Sequence, residues 1–145
     1  MQLQIQDTYE TDPAAIGRYY DGQLRVIARQ AVTVWFNRDR LDRLLASYIG
    51  VLDDCGLLYA IGPDGRQVSS NIQPSGIDVG AYGQDLSARP YSVSLEVLKS
   101  PVGHGAFACR SYVSQITQQP CVTVMYGVSA GDSLLGFVAA DISQA

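Results

Sequence analysis

From Ile16 onward apolar side chains return every three or four residues, at Ile16, Tyr20, Leu24, Ile27, Ala31, Val34 and Trp35. That spacing draws one apolar stripe along a long helix. Asp12-Pro13 supplies its start, because an aspartate can accept from the free N–H groups of the first turn and proline suits the first helical position. The pattern restarts after Asn37 or Asp39 with Leu41, Leu44, Leu45, Tyr48, Ile49 and Leu52. This predicts a second amphipathic helix, or a bent continuation of the first, ending near Cys55-Gly56. At Leu57 the period changes, and Leu57-Leu58-Tyr59-Ala60-Ile61 is an apolar run of strand length, read as a central strand buried on both sides.

Gly62-Pro63-Asp64-Gly65 has tight-turn chemistry, so Arg66–Ile72 should return antiparallel. Residues 73–84 hold three glycines and alternate poorly, and are read as a loop crossing toward the sheet edge. A further helix is expected over Asp85–Ser100, entered at Arg89-Pro90, with Tyr91, Leu95 and Leu98 on one face. Three β-rich segments follow, about Ala106–Gln115, Cys121–Val128 and Leu134–Ile142, separated by Thr117-Gln118-Gln119-Pro120 and Ala130-Gly131-Asp132-Ser133. The sum is an α+β domain with one five-stranded antiparallel sheet. At 145 residues the chain makes one core, and we read a single domain over 1–145.

Composition narrows the function classes. Hydrophobic residues are 47% and charged residues 17% of the chain, a globular balance. A formal charge of −4 leaves no basic excess to neutralise phosphates, which argues against nucleic acid. The longest apolar stretches are interrupted by arginine or too short to cross a bilayer as a helix. With Met1 as the start, the N-terminus lacks the basic opening and apolar run of a secretion signal, so a cytoplasmic location is expected. Cys55, Cys109 and Cys121 are an odd number, show no CxxC spacing and sit among apolar neighbours, as buried free thiols do.

Four pieces of the sequence stand in a telling order: the Tyr59-to-Val68 hairpin with Pro63-Asp64-Gly65, then Asp85-Leu86-Ser87-Ala88-Arg89-Pro90-Tyr91, then Tyr112-Val113-Ser114 with Gln119-Pro120-Cys121-Val122-Thr123, and last Gly136-Phe137-Val138-Ala139-Ala140-Asp141-Ile142. Together, over about residues 13–143, they resemble the Cache (PDC) sensor domain, a PAS-like extracytoplasmic ligand-binding module of bacterial chemoreceptors, histidine kinases and cyclic-dinucleotide enzymes. The resemblance implies a long N-terminal helix used for dimerisation, packed on a sheet whose other side holds a small ligand under the crossing helix or loop. Relatives usually sit between two membrane helices and carry an output domain, and this sequence shows neither. The recipient of any signal is then expected to be a separate protein.

Arg89 is the first candidate ligand-binding residue, since a guanidinium can grip a carboxylate through two parallel hydrogen bonds; the alternative is an ion pair with Asp85. Tyr91 offers a phenol hydroxyl or a ring in the core. Strand alternation puts Ala106, Ala108, Arg110, Tyr112 and Ser114 on one face, so Tyr112 should share a face with Arg110. On the last strand Phe137, Ala139 and Asp141 share a face. A carboxylate there should reach solvent at the strand end or meet a cation such as a ligand ammonium. In many Cache relatives an aspartate at this place anchors an amine, which makes Asp141 with Arg89 a candidate amino-acid clamp. Tyr126 is a further wall candidate.

Catalytic patterns are weak. His104 lies five residues before Cys109, but a nucleophile pair also needs an orienting group and an oxyanion site. One histidine and three dispersed cysteines make a poor zinc set, and residues 76–83 follow neither phosphate-binding glycine pattern. No cofactor or metal is implied. Two readings stay open: a domain that binds a small carboxylate, amine or amino acid, and a non-catalytic dimerisation or protein-interaction module whose pocket is filled by its own side chains.

Overall fold

The computed structural model describes residues 12–89, 105–109, 112–114, 116 and 118–144. Helix α1 spans Pro13–Ala31 and runs into a 3-10 turn at Val32–Val34. Asp12 caps it, its Oδ1 accepting from the amides of Ala14 and Ala15 at 3.2 and 3.4 Å. Helix α2 spans Arg38–Tyr48 with Asn37 as its cap, the first of the two starts expected. It ends earlier than expected. The chain turns through 50–54, and Cys55-Gly56 already belongs to the first strand, entered from Asp54 at φ 58°.

The strands are β1 Cys55–Ile61, β2 Asn71–Gln73, β3 Gly76–Asp78, β4 Phe107–Ala108, β5 Tyr112–Val113, β6 Pro120–Ala130 and β7 Ser133–Ser143. They form one antiparallel sheet in the order β3-β2-β1-β7-β6-β4, with β5 also on β6. β1 and β7 are central, and β1 is buried along nearly its whole length. The count of seven strands among the described residues, against five expected, has two sources. β4 and β5 are two pieces of one strand position beside β6. β3 is an extra edge strand where a loop was expected: Asn71–Gln73 folds back on Gly76–Asp78 around Pro74-Ser75.

The expected return of Arg66–Ile72 is present but interrupted. Ile61 pairs with Gln67 and Leu58 with Ile72, so two more residues lie on the returning strand than on β1. Ser69 and Ser70 are that surplus. Ser69 Oγ replaces a backbone acceptor by taking the Ala60 amide at 2.8 Å. The amide and hydroxyl of Ser70 donate to buried Asp42 of α2 at 2.8 and 2.6 Å. Residues 85–89 are turns and a bridge rather than the start of a helix, and the rest of the expected helix lies outside the described residues.

The sheet separates two apolar clusters. Leu24, Ile27, Ala31, Trp35, Leu41 and Leu45 of the helical layer pack on Leu58, Ala60, Val122, Val124, Val138 and Ala140. On the other face lie Leu57, Tyr59, Ile61, Met125, Phe137 and Ala139, joined by Leu86 and Cys109. Alternation along each strand assigns the faces. Trp35 crosses β7 where only a glycine fits: a Cβ on Gly136 would stand 2.5 Å from Trp35 Cζ2 and closer still to the carbonyl oxygen of Ile61.

Candidate functional site

The face of the sheet opposite the helices carries a cavity of about 60 Å³. Asp141, Tyr59, Tyr112, Asn71, Gln67 and Arg89 line it with apolar Leu57, Leu86, Val113 and Ile116. That volume takes only a few ligand atoms, since a cavity that holds benzene is about 150 Å³. Gln84, Val113 and Ile116 are exposed at its rim, so a larger ligand lies partly outside it.

Asp141 is the polar centre. It shares a face with Phe137 and Ala139, as the alternation requires, and is only 8% exposed. It does not fray into solvent. Its Oδ1 accepts from the Thr123 hydroxyl at 2.7 Å and from the Tyr59 hydroxyl at 3.0 Å. Thr123 stands directly across the β6-β7 ladder from Asp141, and Leu57 directly across on β1, which brings Tyr59 alongside. The Tyr112 and Thr123 oxygens are 2.6 Å apart. Thr123 spends its single hydrogen on the carboxylate, so the phenol must donate to Thr123. The chain of bonds therefore runs from Tyr112 through Thr123 to Asp141 Oδ1. Among the described residues, Oδ2 receives no hydrogen bond.

Burial lifts the Asp141 carboxyl to about 6, against the pull of the Thr123 and Tyr59 hydroxyls and the positive charge of Arg89. Desolvation of the charged form outweighs these three favourable contacts. It also pushes Cys55 and Cys121 up to about 12 and raises Cys109, and the charge of Asp141 adds to each rise. Thiols so placed stay protonated at neutral pH and are poor nucleophiles. Tyr112 is raised in the same way, by desolvation first and by Asp141 second.

Of the five candidates, Arg89, Tyr112 and Asp141 line one cavity. Tyr126 does not. Alternation along β6 turns it to the helical side, where it packs under α1 and meets Arg25. Tyr91, and with it Arg110 and His104, lies outside the described residues. Tyr112 reaches the cavity by a different route from the one expected. Ala108 faces Val124 and Tyr112 faces Cys121, four steps along one strand against three along the other, so one extra residue lies between them. That offset in register reverses the faces. Tyr112 therefore joins Phe107 and Cys109 on the cavity side, while Ala106 and Ala108 pack on the helical side. Sequence reasoning missed Tyr59 and Thr123; their signal is a hydroxyl in an otherwise apolar strand.

Solved structures of similar shape give this arrangement its context. The sensory domain of the Campylobacter jejuni chemoreceptor Tlp3 with isoleucine bound is similar over 97% of this chain and 57% of that one, at TM-score 0.70 and 12% identity. The sensor domain of the V. cholerae histidine kinase DctB is similar over 98% and 55%, at TM-score 0.65 and 17% identity. The fold is that of these Cache-type sensory domains. An extracellular ligand-binding receptor from Desulfohalobium retbaense also shares it, over 99% of this chain and 25% of that one, at TM-score 0.68 and 15% identity. The chain thus spans little more than half the length of the Tlp3 and DctB structures. No protein-family model matches it, and no curated protein does. Among the described residues no helix is long and apolar enough to cross a membrane.

Proposed function

We propose that this domain is a non-catalytic sensory module that captures a small amine, carboxylate or amino acid in the Asp141 cavity. The observation that carries the reading is the state of Asp141. It is a buried carboxylate with one oxygen held by two hydroxyls and the other without a hydrogen bond among the described residues, in a cavity that also carries Arg89. A buried charge left short of partners is costly, and a ligand ammonium offsets that cost. Arg89 supplies the complementary grip for a carboxylate. A ligand bearing both groups leaves the site electrically balanced. Support by analogy comes from Tlp3, whose sensory domain is solved with isoleucine and with L-valine. The inert thiols around Asp141 favour binding over catalysis.

The test is a thermal-shift titration against amino acids, short carboxylates and amines. A ligand that binds only the folded state raises the melting temperature with its concentration. Asp141→Ala and Arg89→Ala should each suppress the rise while the far-UV spectrum is kept. Unchanged affinity in both variants would remove the clamp.

A second reading, an interaction module, draws on two observations. The cavity is small, and the outer face of α1 leaves Tyr19 59% and Val26 45% exposed. In that reading α1 forms a homodimer or docks a separate signalling protein. Sedimentation of the wild type and of Tyr19→Arg tests it: a monomer in both would count against it.

A further inference from the structure

Gln67 and Asn71 form a second polar corner of the same cavity, away from Asp141, and both are nearly fully buried, at 3% and 4% exposure. Their amide orientations follow from the bonds. Gln67 reaches the Ser69 carbonyl oxygen at 3.0 Å and the Asn71 side chain at 2.8 Å through the same atom. A carbonyl can only accept, so that atom is Nε2, and the Asn71 atom facing it is Oδ1. Both hydrogens of Nε2 are then spent. What remains is Gln67 Oε1, an acceptor, and Asn71 Nδ2, a donor, neither with a partner among the described residues.

Both atoms keep accessible surface, unlike the sealed amide oxygens of Gln23 and Gln144, so they are open to the cavity their residues line. An acceptor and a donor on two bonded side chains of one cavity wall match one group presenting a donor and an acceptor on the same edge. A primary carboxamide does so through its C=O and the N–H cis to it. A carboxylate has no donor, and a trans secondary amide points its N–H and C=O in opposite directions. Asn71 stands level with Tyr59, and β2 lies two strands from β7. Asp141 itself stands level with Leu57, two residues along, so at about 4.8 Å per strand and 3.4 Å per residue the corner is roughly 12 Å from the Asp141 position. Hydrogen bonds of about 3 Å at each end leave roughly 6 Å between the ligand's own groups. An extended run of three carbons between an ammonium and a carboxamide spans that gap.

We infer that Gln67 and Asn71 are a carboxamide subsite, so that the ligand class is an amino acid with a primary carboxamide side chain, such as L-glutamine. The inference rests on the Asp141 clamp and adds selectivity to it. Isothermal titration of the wild-type protein with L-glutamine, L-glutamate and L-valine tests it without any variant. L-glutamine should bind about tenfold or more tightly than either, as a buried pair left unsatisfied would cost. Asn71→Asp keeps the acceptor that Gln67 needs and replaces only the donor, so it should erase the preference for L-glutamine and leave L-valine unchanged. If L-valine or L-glutamate binds as tightly as L-glutamine, the subsite is refuted and the clamp stands. If none of the three binds while another amine or carboxylate does, the subsite is refuted and the clamp stands; if nothing in that wider panel binds, both fall.

Discussion

Replacing Asp141 by asparagine is expected to make the protein more stable and unable to bind an amine. In the folded protein the carboxyl titrates at about 6, above its ordinary 3.8. The folded state therefore holds the proton more tightly than the unfolded chain, and stability falls as pH rises through that interval. At about 1.4 kcal/mol per pH unit, the ionised carboxylate costs the native state about 3 kcal/mol once the pH is above 6. Asparagine fits the same space, and its Oδ1 can accept from Thr123 and Tyr59 while carrying no charge. Asp141→Asn should gain about 1–3 kcal/mol at pH 7.5, which for a domain of this size is about 2–10 °C in melting temperature. The gain should shrink as the pH falls from 6 and vanish only below the unfolded-state value of 3.8, at about pH 3, where the wild-type carboxyl is protonated in both states. Urea unfolding of both proteins at pH 7.5, 6, 5 and about 3 measures it. A variant less stable than the wild type at pH 7.5, or a difference that ignores pH, would refute the account of Asp141 as a desolvated carboxylate.

Thr123→Val removes the hydroxyl that joins Tyr112 to Asp141. With that lowering contact gone, the carboxyl should titrate still higher, read from the pH dependence of unfolding, and stability should drop by about 1–3 kcal/mol at pH 7.5. Binding of an ammonium ligand needs the ionised carboxylate, so calorimetric affinity for amino acids should weaken as pH falls through about 6; affinity flat from pH 7.5 to 5 would contradict this. Asp42→Ala strands the Ser70 amide and hydroxyl in the interior, with an expected loss of about 2–4 kcal/mol in denaturant unfolding. Gly136→Ala forces a methyl against Trp35 and the Ile61 carbonyl, and is expected to cost about 3 kcal/mol or more, seen as a large fall in melting temperature and a red shift of the Trp35 emission.

How much of this was legible in the sequence depended on how local each determinant is. The helices were, because their periods, Asp12-Pro13 and Asn37 act within a turn of where they stand. So were the central strands, whose apolar runs are long enough to be buried whatever their partners. Register was not. The turn at Ala130–Ser133, continued without irregularity, would set Thr123 opposite Ala140, on the wrong face for Asp141; a one-residue bulge near Val128 sets it opposite Asp141 instead. The offset between the registers of β4 and β5 on β6 likewise decides which way Tyr112 points, and a period-2 count cannot see it. Ser69, Ser70 and Asp42 are joined across 28 residues of sequence and substitute side chains for a ladder. Asp141 was legible as a candidate because a charge in an apolar strand stands out, and Arg89 because a guanidinium can grip a carboxylate and its stretch resembles the family's. Tyr59 and Thr123, whose hydroxyls define the site, read as ordinary strand residues. Tyr126 was misplaced for a simpler reason: nothing in its own surroundings marked which face of β6 meets the helices.

The most direct test of the central claim is isothermal titration of the wild-type protein and of Asp141→Asn, at pH 7.5, with a panel of L-amino acids that includes glutamine and valine. Saturable binding of at least one amino acid to the wild type, lost in the folded and more stable asparagine variant, is the result expected of a cavity built around an ammonium anchor. Binding that survives in Asp141→Asn, or no binding of any amino acid to the wild type, would contradict it.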